Sequence, residues 1–242
     1  MSLIDFNNVS FEYECGKQIL DNITFSAKAG ESVGLVGSNG VGKSTLLKLI
    51  VGLNMSFEGD ISVDGLKVEK KNFADIRKRI GYVFQDSDSQ LFMSTAIEDV
   101  AFGPKNYGLS ADKAIKKAEE ALERIGILNL RDKQIYKMSG GEKKMVSIAT
   151  ILSMSPDVIL MDEPSVALDP KNRRRLINIL NDLPCLKLIA SHDLDLIWDT
   201  CDRTILLSEG RIIADGPTEE ILSDEELLEA NGLELPLSLY GK

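Results

Sequence analysis

The sequence is poor in the residue types that build disulfide frameworks and transition-metal sites. It contains 3 cysteines, 1 histidine and 1 tryptophan among 242 residues. Cys15, Cys185 and Cys201 are odd in number and widely spaced, which indicates free thiols rather than a disulfide framework or a zinc site. A single histidine with scattered cysteines also offers no cage for a transition metal.

The sequence also lacks long apolar runs. None approaches the ~20 residues that cross a bilayer, and the first residues lack the basic region and apolar core of a signal peptide. We therefore expect a cytoplasmic chain. The 43% hydrophobic content and the lack of a Pro-rich or Gly/Ser-rich linker favour one large folded domain.

Positive charge is the minority charge. The chain has 38 acidic and 28 basic residues, a net charge of −10. A nucleic-acid-binding protein needs a basic face to neutralise phosphates. We therefore expect no nucleic acid as a main partner.

The most informative motif is a glycine-rich stretch between an apolar strand predicted at 32–36 and a helix predicted at 44–51. It fits the phosphate-binding pattern G-x-x-x-x-G-K-[ST] at every required position. Its glycines allow successive amides to surround a phosphate at the positive end of the helix dipole. Lys43 would reach the β- and γ-phosphates, and the Ser44 hydroxyl would bind Mg²⁺. An ordinary glycine-rich turn is the alternative, which the Lys-Ser pair disfavours. The predicted nucleotide-binding residues of this loop are Ser38, Asn39, Gly40, Val41, Gly42, Lys43, Ser44 and Thr45.

An acidic pair follows a second apolar strand, predicted at 158–161. Asp162 would hold Mg²⁺, which prefers oxygen ligands, and Glu163 would act as the general base toward water. The alternative is an ordinary turn entry, which Pro164 supports. Beside a phosphate-binding loop, we favour the catalytic interpretation.

Ser139-Gly140-Gly141-Glu142 precedes a helix predicted at 140–154. Ser139 and Glu142 make a capping box, which alone would explain these two residues. The two glycines are poor helix formers, at about 1 kcal/mol each. They make sense if backbone amides must approach a phosphate closely.

Two further residues have open interpretations. His192 follows a strand predicted at 186–190, at the edge where open α/β sheets bind ligands, so we predict a role at the γ-phosphate. A lone histidine is otherwise more often structural. Tyr13 is either a core aromatic or one that stacks on a base, and the sequence does not decide between them.

Other patterns complete the expected α/β fold. The segment 59–68 predicts a hairpin turning at Asp64-Gly65, and 111–125 predicts an amphipathic helix with Ser110 as N-cap. Residues 2–30 predict short strands. Alternating apolar strands and helices later in the chain predict a parallel sheet covered on both faces. The remaining predicted elements are a helix at 171–181, a strand at 204–207 and an acidic helix at 217–230.

The phosphate loop, Gln85, Ser-Gly-Gly, Asp162-Glu163 and His192 occur in that order. This ordered set closely resembles the nucleotide-binding subunit of ABC transporters, over roughly 2–235. The resemblance implies one ABC ATPase domain over 1–242, with a P-loop NTPase core, a mainly parallel sheet and an N-terminal antiparallel β subdomain. It also implies a helical subdomain at roughly 86–155 and a short acidic helical tail at roughly 217–242.

The resemblance implies residue roles as well. Tyr13 matches the aromatic that stacks on adenine, and Gln85 matches the glutamine that contacts Mg²⁺ and the attacking water. Ser139 to Glu142 match the signature motif, which binds the γ-phosphate held by the opposite subunit. Asp169 matches the D-loop, although it also fits an N-cap before Pro170. His192 matches the switch histidine.

The resemblance further implies a head-to-tail dimer that closes on two ATP molecules, formed by two copies or with a related ATPase subunit. Integral membrane subunits would hold it at the cytoplasmic face of the membrane. The segments 82–92, 98–104 and 232–236 look like the energy-coupling-factor subgroup, which drives uptake of cobalt or nickel ions or of vitamins. The short C-terminal region favours the metal-ion type.

Four positions depart from the family pattern: Met138, Glu142, Met145 and Ala167. None removes a phosphate ligand or the base, so we expect activity, and the departures bear on the rate and on the strength of dimer closure. The alternatives are a soluble ABC-type ATPase of DNA repair or translation and, last, a P-loop kinase. The first lacks support because no long coiled coil and no second such domain is present, and the second leaves Ser-Gly-Gly and His192 unexplained.

Overall fold

The computed structural model describes residues 2–13 and 16–240. The expectation of a free thiol at Cys15 therefore falls outside the described residues. Within them, no helix has both the length and the apolar character needed to span a membrane.

The described residues form ten strands and nine α-helices. The strands are β1 (Ser2–Glu12), β2 (Gln18–Lys28), β3 (Ser32–Val36), β4 (Phe57–Val63), β5 (Leu66–Lys67), β6 (Ile80–Val83), β7 (Val158–Asp162), β8 (Leu186–Ala190), β9 (Arg203–Ser208) and β10 (Arg211–Pro217). The helices are α1 (Lys43–Ile50), α2 (Phe73–Arg79), α3 (Ala96–Asn106), α4 (Ala111–Ile125), α5 (Gly140–Leu152), α6 (Pro170–Asp182), α7 (Leu194–Thr200), α8 (Thr218–Leu222) and α9 (Glu225–Ala230).

The strands make two sheets. The first is antiparallel, in the order β2-β1-β4-β5. The second has the order β10-β9-β3-β8-β7-β6 and is parallel except where β10 pairs with β9. The predicted α/β fold, with a mainly parallel sheet and an N-terminal antiparallel one, is confirmed.

Strands β3, β6, β7 and β8 of the second sheet are buried at every residue, as their apolar sequences predict, whereas no residue of the edge strand β10 is buried. Alternate residues of β7 point to opposite sides: Val158 and Leu160 join the core that contains α1, while Ile159 and Met161 join the core that contains α5 and α6. Because side chains alternate along a strand, a strand buried on both sides is mostly apolar.

The local predictions were mostly right. The hairpin turns at Asp64 and Gly65, whose φ angles of 48° and 75° suit a tight hairpin turn. The helix over 111–125 and the strand over 186–190 are confirmed to the residue. The helix predicted at 140–154 ends at Leu152.

Two expectations were wrong in detail, and one strand was not predicted. Residues 2–28 form two 11-residue strands rather than several short ones, because register shifts such as that between Phe6 and Val9 interrupt the alternation without ending the strand. The tail helix is two helices, since Asp224 caps a new one through the amide of Leu227. The edge strand β10 was missed.

Candidate functional site

The glycine-rich loop joins the buried strand β3 to helix α1. Gly37 has φ 146°, and a Cβ there would lie 2.2 Å from the carbonyl oxygen of Leu207. Gly42 has φ 111°, and a Cβ there would lie 2.7 Å from Leu20 Cδ2. Both positions therefore require glycine, for backbone angle and for space. The first amides of α1 open onto this loop, which suits an anion.

Lys43 lies over the loop. Its side chain is buried, and Nζ donates to the carbonyl oxygens of Gly37 at 2.7 Å and Ser38 at 3.1 Å. Burial lowers the pKa of Lys43, an effect that the nearby carboxylates of Glu163 and Asp162 oppose. The loop thus holds a desolvated cation, which would bind phosphate oxygens strongly.

Asp162 ends β7 beside the start of α1. The Ser44 hydroxyl donates to Asp162 Oδ1 at 2.8 Å. Burial raises the pKa of Asp162, while the Ser44 hydrogen bond and the charge of Lys48 lower it. A hydroxyl and a carboxylate in contact are hard oxygen ligands, so these two residues fit Mg²⁺.

Glu163, the next residue, is held in a single place by the end of β8. Ser191 Oγ donates to Oε2 at 3.2 Å, and the His192 amide donates to Oε1 at 3.1 Å. The Glu163 amide donates to the carbonyl of Ala190 at 2.9 Å. Its φ of 48° is unusual for a residue other than glycine, and such conformations concentrate at functional sites.

His192 lies beside Glu163 and faces outward. Its Nδ1 is 2.8 Å from Glu163 Oε2, and its side chain is 58% exposed. The predicted position of His192, just past a strand end, is confirmed.

A cleft of about 280 Å³ lies at this edge of the sheet. Tyr13 lies at its rim just past β1, half-exposed, with its hydroxyl 3.2 Å from Thr45 Oγ1. Gln85, which follows β6, lines the same cleft. The lining residues are Tyr13, Ile19, Asn39, Gly40, Gly42, Lys43, Ser44, Thr45, Gln85 and Glu163.

Two loop residues meet the cleft differently from the sequence prediction. Ser38 contributes its carbonyl to Lys43. Val41 is buried, and its side chain packs in the α1 core. Only the backbone of Val41 is therefore available to a nucleotide.

Ser139 to Glu142 lie outside the lining of this cleft. The capping box is confirmed: the Glu142 amide donates to Ser139 Oγ at 3.2 Å, and the Ser139 amide donates to Glu142 Oε2 at 2.8 Å. Lys133 also pairs with Glu142 at 2.7 Å and lowers its pKa. Ser139 and Gly140 remain exposed.

The glycine pair has a further role that sequence reasoning missed. A Cβ on Gly141 would lie 2.8 Å from the carbonyl oxygen of Ala167, and one on Gly140 would lie 3.4 Å from Ala167 Cβ. Ala167 itself has φ 69°. The start of α5 therefore packs closely on the segment before α6.

Asp169 is the N-cap of α6, as its alternative interpretation predicts. Its Oδ1 accepts from the Asn172 amide at 2.8 Å, and Pro170 occupies the first helical position. Two other departures from the family pattern, Met138 and Met145, are buried in the core.

Sequence reasoning also missed the pair between Arg173 and Asp193. Arg173 Nε and Nη2 donate to the two carboxylate oxygens at 2.9 Å each, which joins α6 to the residue after His192. Asp193 also caps α7 through the amide of Leu196. An aspartate directly before a helix is an N-cap signal that the sequence does contain.

The model of the ABC transporter family matches residues 20–166 of this chain. The chain belongs to the ABC transporter family. A Geobacter sulfurreducens protein named as an ABC transporter ATP-binding protein is 45% identical over 99% of this chain and 96% of its own length. An energy-coupling factor transporter ATP-binding protein of Methanocaldococcus jannaschii is 38% identical over 98% of this chain and 86% of its own length.

The fold agrees with this membership. The structure of CbiO1 from Clostridium perfringens, described as part of the CbiONQ ABC transporter complex, matches with a TM-score of 0.82. It is 35% identical, and the match covers 95% of this chain and 94% of CbiO1. This ABC protein is thus an ATP-binding subunit that resembles the energy-coupling-factor type.

Proposed function

We propose that this ABC subunit hydrolyses ATP to drive uptake of a cobalt or nickel ion, or of a vitamin, through separate membrane subunits. The observation that carries the proposal is the placement of Glu163 in the cleft that also contains Lys43 and Gln85. The Ser191 hydroxyl and the His192 amide hold its carboxylate there. Similarity to an energy-coupling factor transporter ATP-binding protein and to CbiO1, part of an ABC transporter complex, supports a role in transport.

The chemistry follows from the residues. Lys43 and the amides of the loop bind the phosphates, and Tyr13 stacks on the base. Ser44, Asp162 and Gln85 would hold Mg²⁺, which would supply positive charge near the phosphates. Glu163 accepts a proton from the attacking water at a carboxylate oxygen. His192, whose ring lies against Glu163, would contact the terminal phosphate.

A second ATPase subunit completes the site. The cleft is lined by the glycine-rich loop, while Ser139 and Gly140 are exposed elsewhere at the start of α5. We assign 86–155 as a helical subdomain within one ABC domain over 1–242. In a head-to-tail dimer, Ser139 to Glu142 of one copy, or of a related subunit, cover the nucleotide of the other, with Asp169 beside that interface.

A membrane subunit docks next to α3. A groove of about 420 Å³ opens shortly after Gln85, with Phe92 65% and Tyr136 73% exposed on it. Exposed aromatic side chains on a groove can pack against the apolar end of a helix from a partner protein. We infer that the membrane subunits bind here and hold the chain at the cytoplasmic face of the membrane.

The first test is ATP hydrolysis by the Glu163→Gln variant. We expect the rate to fall at least about 100-fold, since general-base catalysis contributes at this level, while ATP still binds. Glu209→Gln is the matched control, because Glu209 is an exposed glutamate with a similar φ of 47°. Unchanged turnover in Glu163→Gln would show that another group is the base.

A second test separates transport from the soluble ATPase alternative. The tagged Glu163→Gln chain is purified from detergent-solubilised source membranes with ATP and Mg²⁺, and co-purifying proteins are identified by mass spectrometry. Recovery of a small set of integral membrane proteins supports transport, and their identity distinguishes metal-ion from vitamin uptake. Recovery of only soluble proteins, ribosomes or DNA contradicts it.

A further inference from the structure

A buried lysine in α5 binds the backbone of the segment that contains Gln85. Lys144 is 2% exposed, and its Nζ donates to the carbonyl oxygens of Phe84 at 3.0 Å and Gln85 at 2.7 Å. Within residues 2–13 and 16–240, it has no carboxylate at ion-pair distance. A charge buried without an ion-pair partner is expensive to keep, so its hydrogen bonds must matter to this chain.

Burial lowers the pKa of Lys144, and the nearby carboxylates of Asp162, Asp86 and Glu163 oppose this effect without reversing it. Two of these acids, Asp162 and Glu163, belong to the ATP site. The ammonium group therefore lies within the electrostatic field of the cleft but binds to backbone rather than to either acid.

A second residue joins the same segment to the same helix. Gln90 Oε1 accepts from the Phe84 amide at 3.1 Å. Its Nε2 donates to the carbonyl of Ser147 at 2.8 Å and to Thr150 Oγ1 at 2.9 Å. Lys143 adds an ion pair to Asp88 at 2.5 Å. Segment 84–90 is therefore bonded to α5 near both of its ends.

The hydrogen bonds between segment 84–90 and α5 lie between the end of β6 and the helix that begins after Ser139. β6 ends at Val83, so Phe84 and Gln85 lie beyond the sheet, and no strand in the described part of the chain pairs with them. The helix that holds them instead begins at Gly140, directly after the exposed Ser139. Movement of α5 would therefore move Gln85.

We propose that Lys144 is a positioning residue for ATP hydrolysis: it ties Gln85 to α5, so that the place of Gln85 in the cleft follows the helix that begins at Ser139. The inference rests on the proposed ATPase function and on the place of Gln85 in that site. It assigns to Lys144 no contact with the nucleotide.

The test is the Lys144→Met variant of the full chain. Methionine fills a similar volume and removes both hydrogen bonds to the segment. We expect kcat for ATP to fall about tenfold or more, because small misplacements of positioning groups slow catalysis strongly. The Kd for ATP should change less than about twofold, since Lys43 and the glycine-rich loop are untouched.

Lys187→Met is the matched control. Lys187 is also a buried lysine that donates to two backbone carbonyls, those of Leu183 at 2.7 Å and Cys185 at 3.4 Å, and its segment lies outside the ATP cleft. Both variants should lose stability. Only Lys144→Met should lower kcat. An equal fall in kcat in both variants would mean that Lys144 acts only through general stability, and this would overturn the proposal.

A double-mutant cycle shows whether Lys144 acts through Gln85. In a Gln85→Ala background, Lys144→Met should lower kcat no further, because the group that it positions is already gone. Additive losses would overturn the proposal.

Hydrogen exchange provides a readout that does not depend on hydrolysis. Amides of 84–90 should exchange faster in Lys144→Met than in Lys187→Met, since the segment loses its anchor. Exchange that is unchanged in this segment would overturn the proposal even in a chain that hydrolyses no ATP. A wild-type chain without ATPase activity, but with the expected exchange, would count against the proposed function alone.

Discussion

At the residue scale, the carboxylates of Asp162 and Glu163 at the end of β7 have different hydrogen-bond partners, which suit them to different roles. Asp162 accepts from a hydroxyl of α1, and Glu163 accepts from a hydroxyl and an amide at the end of β8. One therefore faces the glycine-rich loop and the other faces His192. Unlike environments for adjacent acids are the usual way in which a site separates metal binding from proton transfer.

The Asp162→Asn variant should be more stable than wild type without nucleotide. Burial raises the pKa of Asp162, so the folded state binds this proton more tightly than the unfolded state does. Stability is then lost as pH rises from the unfolded value of 3.8 through the raised folded value. Asparagine removes this penalty and can still accept from Ser44. We expect a gain on the order of 1 kcal/mol in urea unfolding at pH 7.

The same variant should lose the Mg²⁺ dependence of ATP binding, because it lacks the carboxylate charge. The measurement is ATP affinity with Mg²⁺ and with EDTA. A variant that is both less stable and still dependent on Mg²⁺ would contradict the assignment of Asp162.

The Lys43→Ala variant should bind ATP at least about tenfold more weakly, since a charge-assisted hydrogen bond is worth ~1.5–3 kcal/mol. Equilibrium dialysis with labelled ATP measures this. Thermal unfolding in parallel shows whether the variant is folded, because the carbonyls of Gly37 and Ser38 lose their donor. Retained affinity in a folded variant would refute the role of the lysine.

At the element scale, helix termini carry most of the site. α1 begins at the glycine-rich loop, α5 begins after Ser139, α6 after Asp169 and α7 after Asp193. The last three start with a side chain that accepts from the helix amides. Caps thus fix where each helix begins, and with it the residues at the sheet edge.

Caps with and without a hydrogen bond should differ in their contribution. Ser139→Ala should lower the free energy of unfolding by about 1 kcal/mol, since Ser139 Oγ accepts from the Glu142 amide. Ser110 occupies the N-cap position of α4 without a side-chain cap hydrogen bond. Ser110→Ala should therefore be nearly neutral. Urea unfolding of both variants checks the difference, and equal losses would argue against the capping box as the cause.

At the scale of the whole molecule, strand order brings distant parts of the chain together. β3 lies between β9 and β8, and β7 lies beside β8. The glycine-rich loop, Glu163 and His192 therefore meet at one edge of the sheet, as expected for ligand sites of open α/β sheets. The exposed start of α5 is left facing outward, which is why we propose a second subunit.

A negative charge at position 140 should prevent dimer formation without preventing folding of the single chain. An acidic residue in the first turn of a helix is favourable for the single chain, so Gly140→Asp should fold. The same charge would repel the terminal phosphate bound by the partner. In the Glu163→Gln background, ATP and Mg²⁺ should double the mass measured by light scattering, and adding Gly140→Asp should abolish this. Dimers that persist would mean that α5 does not face the nucleotide.

Turns, helix caps and helix periodicity could be predicted from the sequence. The glycine-rich loop, the capping box at Ser139, the Asp64-Gly65 hairpin and the helix over 111–125 each depend on residues a few positions apart, where turn angles, caps and periodicity act directly. The apolar strands likewise predicted a sheet buried on both faces. The ordered motifs named the family before any contact was known.

Only the tertiary structure decided which of these residues touch. Ser44 meets Asp162 across 118 positions, Glu163 meets His192 across 29, and Gln90 meets Ser147 across 57. Pairs at such separations depend on which strands lie side by side and on how helices pack over them, and no local pattern encodes that. For the same reason the sequence did not show that Lys144 holds Gln85, that Arg173 pairs with Asp193, or that Val41 turns into the core.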